Sequence, residues 1–121
     1  MLNYKLRLAV EKGDLHTIKK IIEKDFKSHQ NLIDLNTKSQ DQWTLLHIAT
    51  SEGNYSIVKY LLEKGADPNI QSANQRTALH ISCMRGHLSI VNICLQNKAN
   101  INMTDMDGNT AVHLCSEFGK I

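Results

Sequence analysis

Three histidines are the residues whose type and spacing first suggest chemistry. His47, His80 and His113 lie 33 residues apart in a chain of 121 residues. Imidazole is a common zinc ligand, so an evenly spaced set is a candidate metal site. Zinc ligands must converge at about 2 Å from the metal, whereas equivalent positions on successive packed helices lie on the order of 10 Å apart. The spacing therefore favours a structural role in a repeating unit.

The three cysteines give no clearer sign of catalysis. Cys83, Cys94 and Cys115 are an odd number at wide spacing, which predicts reduced thiols in an intracellular protein. Cys94 and Cys115 fall at apolar or small-residue positions of the repeat, and Cys83 would be reactive only if exposed near Arg85. Paired-cysteine, metalloprotease, nucleophile-elbow and phosphate-binding motifs are absent from the sequence. We expect no enzymatic activity, no metal and no cofactor in these residues.

The histidines belong to a repeat whose other markers keep the same period. A threonine lies three residues before each histidine and a glycine six residues after it, at Thr44, Thr77, Thr110, Gly53, Gly86 and Gly119. The threonines can cap helices predicted over 45–52 and 78–85, and the glycines can end them. A second helix follows in each repeat, marked by a buried stripe such as Ile57, Val58, Leu61 and Leu62.

The box Thr77-Ala78-Leu79-His80, the glycine that follows it and the closing Gly65-Ala66-Asp67-Pro68-Asn69 resemble the ankyrin repeat. The resemblance implies an all-α fold, an α-solenoid of helix-turn-helix pairs joined by β-hairpin-like loops. It divides one domain, 1–121, into a degenerate N-terminal repeat at about 4–38, repeats at about 39–71 and 72–104, and a partial repeat at 105–121. In this family the box histidine hydrogen-bonds the hairpin backbone, and that role is implied for the three histidines.

Departures from the family pattern have predictable local costs. Gln42 and Gln75 stand at hairpin tips, and Lys98 ends a helix, where the family favours glycine. A positive φ at each would cost about 1 kcal/mol. The first repeat carries about seven extra residues between Phe26 and Asp34, which we interpret as a loop. The chain stops where another second helix is expected, so we expect a fragment of a longer protein, or failing that, dimerisation through the bare end.

The resemblance implies a binding surface on the concave face, formed by the hairpin tips and the exposed side of each first helix. Residues that vary between repeats at these places are the predicted contacts with a protein or peptide partner. They are Gln40, Asp41, Trp43, Glu52, Asn74, Arg76, Met84, Arg85, Asp107 and Asn109. Trp43 is the leading anchor, with packing on a neighbouring hairpin as the equal alternative. Arg76 and Arg85 could pair with partner carboxylates or lie in solvent.

Two further hypotheses follow from the resemblance. The domain could target or recruit substrates for a larger enzyme or lipid-transfer protein of the kinase, palmitoyltransferase or oxysterol-binding type. The context of Asn69 also resembles ankyrin asparagines that an oxygen-dependent enzyme hydroxylates, although this side chain more simply bonds the hairpin backbone.

Charge and hydropathy limit the partners and the cellular compartment that we expect for the protein. The net charge of +2 is too small for phosphate-driven nucleic-acid binding. Lys5 and Arg7 interrupt any signal peptide, and no apolar run is long enough for a transmembrane helix. We expect a monomer in the cytoplasm, with the nucleus as alternative. Residues 1–38 carry eight basic and five acidic side chains, and their lysines predict a solvated convex face or, alternatively, attraction to an acidic partner or anionic membrane.

Overall fold

The fold is a stack of helix pairs. The computed structural model describes residues 2–30 and 32–117, and that part of the chain forms helices without any strand. The helices are α1 (Leu2–Lys12), α2 (Leu15–Ser28), α3 (Leu45–Glu52), α4 (Tyr55–Glu63), α5 (Ala78–Arg85), α6 (Leu88–Gln96) and α7 (Ala111–Glu117). Helices α1, α3, α5 and α7 stack in one layer, and α2, α4 and α6 each pack against the first helix of their own pair. The predicted all-α solenoid is confirmed.

Capping residues set where the inner helices begin. Thr44 Oγ1 accepts a hydrogen bond from the His47 amide at 3.3 Å, and the Thr44 amide donates to His47 Nδ1 at 3.0 Å. Thr77 and His80 repeat this reciprocal cap at the start of α5. Such caps satisfy amides that the first turn would leave unpaired. The predicted bounds of α3 and α5, 45–52 and 78–85, agree with the structure.

The core lies between the two layers. Helix α3 is buried from Leu45 to Thr50, and α5 from Ala78 to Cys83. The outer helices bury one stripe each, and in α4 this stripe includes the predicted Ile57, Val58, Leu61 and Leu62. Cys94 in α6 is fully buried, and its burial raises the pKa of the thiol to about 12. Its predicted role in packing is confirmed.

The positive φ angles predicted at two hairpin tips and one helix end are present, although the residues there are not glycine. The φ angle is 66° at Gln42, 62° at Gln75 and 69° at Lys98. All three lie in the left-handed region, where a Cβ crowds the backbone. At the two exposed glutamines this geometry is kept without glycine, and their amides donate hydrogen bonds to the Ser39 and Ser72 carbonyl oxygens at 2.9 and 2.8 Å.

The structure of the extra residues in the first repeat agrees only in part with the prediction of a loop. Helix α2 has 14 residues and α4 has 9, so five additional residues extend the helix rather than form a loop. The extension ends at His29, whose φ is 57°. Asp25 then accepts hydrogen bonds from the amides of Leu32 and Ile33, at 2.9 and 3.2 Å, and folds the chain back against α2. The prediction of a loop beginning after Phe26 was therefore wrong at its start.

The prediction of three reduced thiols was wrong for two of them. Cys83 on α5 and Cys115 on α7 form a disulfide with a Cα–Cα distance of 4.6 Å. The two residues are 32 positions apart, and both are buried where the inner helices pack side by side. A reactive, exposed Cys83 is excluded because its side chain is only 3% exposed.

Candidate protein-binding surface

Buried histidines fasten each repeat to the hairpin of the next. His47 Nε2 lies 3.0 Å from the Arg76 carbonyl oxygen, and His80 Nε2 lies 3.0 Å from the Asn109 carbonyl oxygen. Because Nδ1 accepts from the amide of the capping threonine, the neutral ring carries its proton on Nε2 and donates it to these carbonyls. Burial lowers the pKa of both histidines, which favours this neutral form. The hairpin-bonding role implied by the resemblance is confirmed for His47 and His80.

His113 keeps only the local half of this arrangement. Its Nδ1 accepts from the Thr110 amide at 3.1 Å, but its side chain is exposed and bonds no later hairpin within the described residues. The histidines thus act as scaffold, and no three metal-ligating side chains lie together in the part of the chain that the structure describes.

Further bonds between repeats hold the loops at a fixed distance. The Met106 amide donates to the Asn74 carbonyl at 2.9 Å, joining consecutive hairpin tips. Gln71 Nε2 donates to the Thr104 carbonyl oxygen at 3.0 Å. Asn69 donates to the Lys98 carbonyl oxygen at 3.2 Å and accepts from the Asn100 amide at 2.7 Å. The loop surface is therefore bonded along its length rather than free to rearrange.

The bonds of Asn69 bear on the hydroxylation hypothesis. Both polar atoms of its amide hold the following repeat, so the simpler structural interpretation is confirmed. Hydroxylation stays a prediction, and intact-mass analysis of protein from its native cell tests it through the mass of one added oxygen.

A small pocket lies between the hairpin of residues 72–76 and the exposed side of α5. This pocket, here called the Trp43 pocket, has a volume of about 120 Å³ and is lined by Trp43, Ser72, Asn74, Arg76, Ile81, Met84 and Arg85. Trp43 is half-buried, and its ring centroid lies 5.7 Å from that of His47. The same indole therefore packs on the scaffold and forms a pocket wall. Five of the predicted contact residues meet here.

An ion pair supports one wall of the Trp43 pocket. Arg76 Nε lies 3.4 Å from Oδ2 of Asp105, whose side chain is 1% exposed. Burial by itself would raise the pKa of Asp105, but hydrogen bonds from the amides of Asn109 and Asp107 and the pairing with Arg76 lower it. The lowered pKa favours the ionised carboxylate, which pairs with Arg76 from the neighbouring loop.

A second, more open depression adjoins the first. The Glu52 pocket, about 530 Å³, is lined by Ser51, Glu52, Met84, Arg85 and His87. Met84 and Arg85 therefore belong to both pockets. His87 was not among the predicted contacts. Its ring lies so close to the end of α3 that a Cβ added at Gly53 would approach His87 Cε1 to 2.8 Å. His87 directly follows Gly86, one of the glycines repeated every 33 residues, and this position in the repeat could have indicated His87 as a contact.

The remaining predicted contacts lie apart from these pockets. Asp41 is exposed, accepts hydrogen bonds from Ser39 Oγ and the Trp43 amide, and lies 4.0 Å from Arg7 Nη2. The bond from Ser39 lowers the pKa of Asp41. Arg7 was also not predicted, because the first repeat is too degenerate to align. Predicted contacts that line neither pocket are Gln40, Asp41, Asp107 and Asn109.

The convex side carries the predicted lysines, all of them exposed: Lys19, Lys20, Lys24 and Lys27. Lys19 Nζ lies 5.5 Å from the ring centroid of Tyr60, and Lys64 Nζ lies 5.6 Å from it. Contacts of this kind are worth about 0.5–1 kcal/mol at exposed sites. Part of the basic face is thus engaged in packing between the first two repeats.

Comparison with known proteins agrees with this architecture. The family model described as "Ankyrin repeats (many copies)" matches residues 6–62, 51–93 and 83–121. Alpha-latrocrustotoxin-Lt1a of Latrodectus tredecimguttatus is 39% identical over 62 residues, which are 51% of this chain and 4% of the toxin. Palmitoyltransferase AKR1 of Naumovozyma castellii is 37% identical over 59 residues, 49% of this chain and 7% of that protein. The chain therefore spans only a small fraction of these curated relatives.

The family bears on the kind of function to expect. Ankyrin repeats are generally protein-interaction modules and are generally not catalytic. Among the described residues, the structure has no helix with the length and apolar character that crossing a membrane requires. Three overlapping matches together extend from residue 6 to residue 121, and the stacked helix pairs have the order that these repeats produce. The chain belongs to the ankyrin repeat family.

Proposed function

We propose that this domain binds a protein or peptide through its concave face, at the two adjoining pockets. The observation that carries the proposal is the position of Met84 and Arg85, which line both the Trp43 pocket and the Glu52 pocket. One elongated ligand could occupy both depressions while contacting these two side chains. Aromatic residues, Met and Arg are the side chains enriched in protein interfaces.

The scaffold beneath the pockets supports the same proposal. The histidine bonds and the bond between Met106 and Asn74 hold the hairpin tips in place. A surface that is ordered before binding loses little conformational entropy when the partner arrives. Binding of protein through a preformed face therefore needs no rearrangement of the loops.

The test compares two variants matched in size and surface exposure. Arg85→Glu lowers the charge of the concave face by two units. Lys59→Glu lowers the charge of the exposed side of α4 by the same amount. Proteins captured from native lysate by the unaltered domain are identified by mass spectrometry. The proposal expects a partner that Lys59→Glu retains and Arg85→Glu loses. Equal retention by both variants would move the binding surface elsewhere.

A second function is favoured by one of the relatives. The similarity to a palmitoyltransferase over 59 residues supports the proposal that the domain recruits substrates for a larger enzyme. Kinase or oxysterol-binding lipid-transfer proteins are the other parents proposed from the resemblance. The full-length transcript tests this directly. A catalytic or lipid-binding region in the same reading frame would support it, and an open reading frame of repeats alone would contradict it.

The setting proposed for the domain is the cytoplasm, with the nucleus as alternative, as a monomer that binds neither nucleic acid nor a cofactor. The net charge of +2 supports the exclusion of nucleic acid. The disulfide between Cys83 and Cys115 opposes a cytoplasmic setting, because disulfides are rare in the reducing cytosol. Thiol labelling of protein denatured directly from cells decides the point: three labelled cysteines support the cytoplasm, and one contradicts it.

A further inference from the structure

The size of the Trp43 pocket limits what can occupy it. Pockets that hold small-molecule ligands usually measure about 300–1,000 Å³, whereas this one measures about 120 Å³. A cavity of that volume accommodates about one side chain of a larger partner. The chemistry of its walls therefore determines which side chain it selects.

Several hydrogen-bond donors of the walls have no acceptor in the described part of the chain. Arg76 uses Nε for Asp105, at 3.4 Å, and its two terminal nitrogens bond nothing there. The indole nitrogen of Trp43 and the guanidinium of Arg85 are likewise without a hydrogen bond or ion pair among these residues. Residues with free donors that line one small pocket favour a ligand group that accepts several hydrogen bonds.

The distribution of charge indicates an anionic group. Two guanidinium groups line the Trp43 pocket, and no carboxylate does. Asp105 pairs with Arg76, and Glu52 lines only the adjoining pocket. Guanidinium groups bind carboxylates through paired, charge-assisted hydrogen bonds.

Apolar walls lie directly beside these donors. The ring of Trp43 and the side chain of Met84 are both half-buried, and Ile81, which is buried outside the continuous core, lies beneath them. Because Met84 also lines the larger Glu52 pocket, an aliphatic side chain next to the acidic one can pack on Met84 there while the acidic one occupies the Trp43 pocket. We propose that the partner is a protein segment with Asp or Glu next to an apolar residue, and that its carboxylate binds Arg76 and Arg85. This inference rests on the proposed function and names the partner's chemistry.

The test uses two libraries of ten-residue peptides that differ at one fixed position. One carries a central Glu-Leu pair and the other a central Gln-Leu pair, with all other positions random. The unaltered domain should bind the Glu-Leu library roughly 5-fold to 30-fold more tightly, as expected for a charge-assisted hydrogen bond in place of a neutral one. Higher salt should reduce this preference, because the pocket is open to solvent.

Matched variants test whether the preference for the Glu-Leu library arises at the Trp43 pocket. Arg85→Gln should reduce the preference for Glu-Leu to roughly 3-fold or less, while Lys59→Gln, which removes one positive charge from the convex side, should preserve it. Trp43→Phe keeps the apolar ring and removes the indole donor, so it should weaken binding of the Glu-Leu library more than that of the Gln-Leu library. Glu52→Gln removes a nearby negative charge and should strengthen binding of acidic peptides by roughly 2-fold to 5-fold.

Three results would overturn the inference while leaving the proposed function intact. Equal binding of the two libraries would show that the pocket does not select a carboxylate. An unchanged Glu-Leu preference in Arg85→Gln would place the acidic group elsewhere. Failure of both libraries to bind would show that such segments are not the ligand. Capture by the concave face, tested with Arg85→Glu and Lys59→Glu, decides the proposed function separately.

Discussion

Replacing His47 tests how the repeats are held together. One variant removes only its bond to the next hairpin, and another also removes its bond to the Thr44 amide. His47→Asn keeps a polar atom near the Thr44 amide but is too short to reach the Arg76 carbonyl oxygen, which the histidine contacts at 3.0 Å. His47→Ala removes both bonds. The difference between the variants isolates the contribution of the helix cap from that of the bond between repeats.

The magnitude follows from what each substitution leaves unpaired. Losing the bond to the Arg76 carbonyl oxygen should cost about 1–2 kcal/mol, a hydrogen bond plus part of the ring packing. His47→Ala also leaves the Thr44 amide unpaired at a site that is only 1% exposed, which should add about 1–3 kcal/mol. We therefore expect a decrease in the free energy of unfolding of about 1–2 kcal/mol for Asn and about 2–5 kcal/mol for Ala.

Urea unfolding followed by far-UV circular dichroism measures these decreases, with His113→Asn as the matched control. His113 has the same bond with the amide of Thr110, at 3.1 Å, but no bond to a later hairpin among the described residues. His113→Asn should therefore cost less than about 0.5 kcal/mol. Equal costs for His47→Asn and His113→Asn, at an unchanged m-value, would refute the claim that the bond between repeats stabilises the stack.

Three other predictions follow from the same structure. Burial lowers the pKa of the two capping histidines of α3 and α5 from 6.5, so the unfolded chain binds protons at a higher pH than the folded chain does. The free energy of unfolding, measured in urea titrations, should therefore fall as the pH drops below about 6.5. Gly53→Ala should cost more than Gly108→Ala in thermal unfolding, because both have a positive φ but only the first meets a ring, His87 Cε1 at 2.8 Å. Gln75→Gly should raise the free energy of unfolding by about 0.5–1 kcal/mol, since its φ is 62°, and a decrease would show that the loop is unstrained.

The fold was largely predictable because its signals recur at one period. Thr44 and His47 cap a helix, His47 also bonds the next hairpin, and Gly53 ends the helix. The same tasks recur 33 residues later, so one repeat checks another. The bounds of α3 and α5 and the positive φ at Gln75 follow from this agreement.

What the sequence could not supply depends on distances between repeats. The disulfide pairs Cys83 with Cys115 because α5 and α7 approach to a Cα–Cα distance of 4.6 Å at that point, and no repeated cysteine marks the pair in the sequence. The extension of α2 likewise lies in the repeat that matches the pattern least. It is held by Asp25, whose bonds to the Leu32 and Ile33 amides no periodic signal marks.

The candidate surface was predicted in part. Residues that vary between repeats were expected to contact a partner, and five of them do line one pocket. The ion pair of Arg76 with Asp105 and the place of His87 depend on side-chain packing across two repeats, so variation alone did not reveal them. Whether these residues contact a partner remains a prediction that binding experiments test.

Hydrogen–deuterium exchange of the domain with its captured partner tests whether binding uses the concave face. We expect slower exchange at residues 72–76 and 81–85, which form the hairpin and helix beside Trp43, and unchanged exchange along α2 and α4. Peptides from α2 and α4 serve as the internal control, because they lie in the outer layer. Protection confined to α2 and α4, with residues 72–76 and 81–85 unaffected, would contradict binding through the concave face.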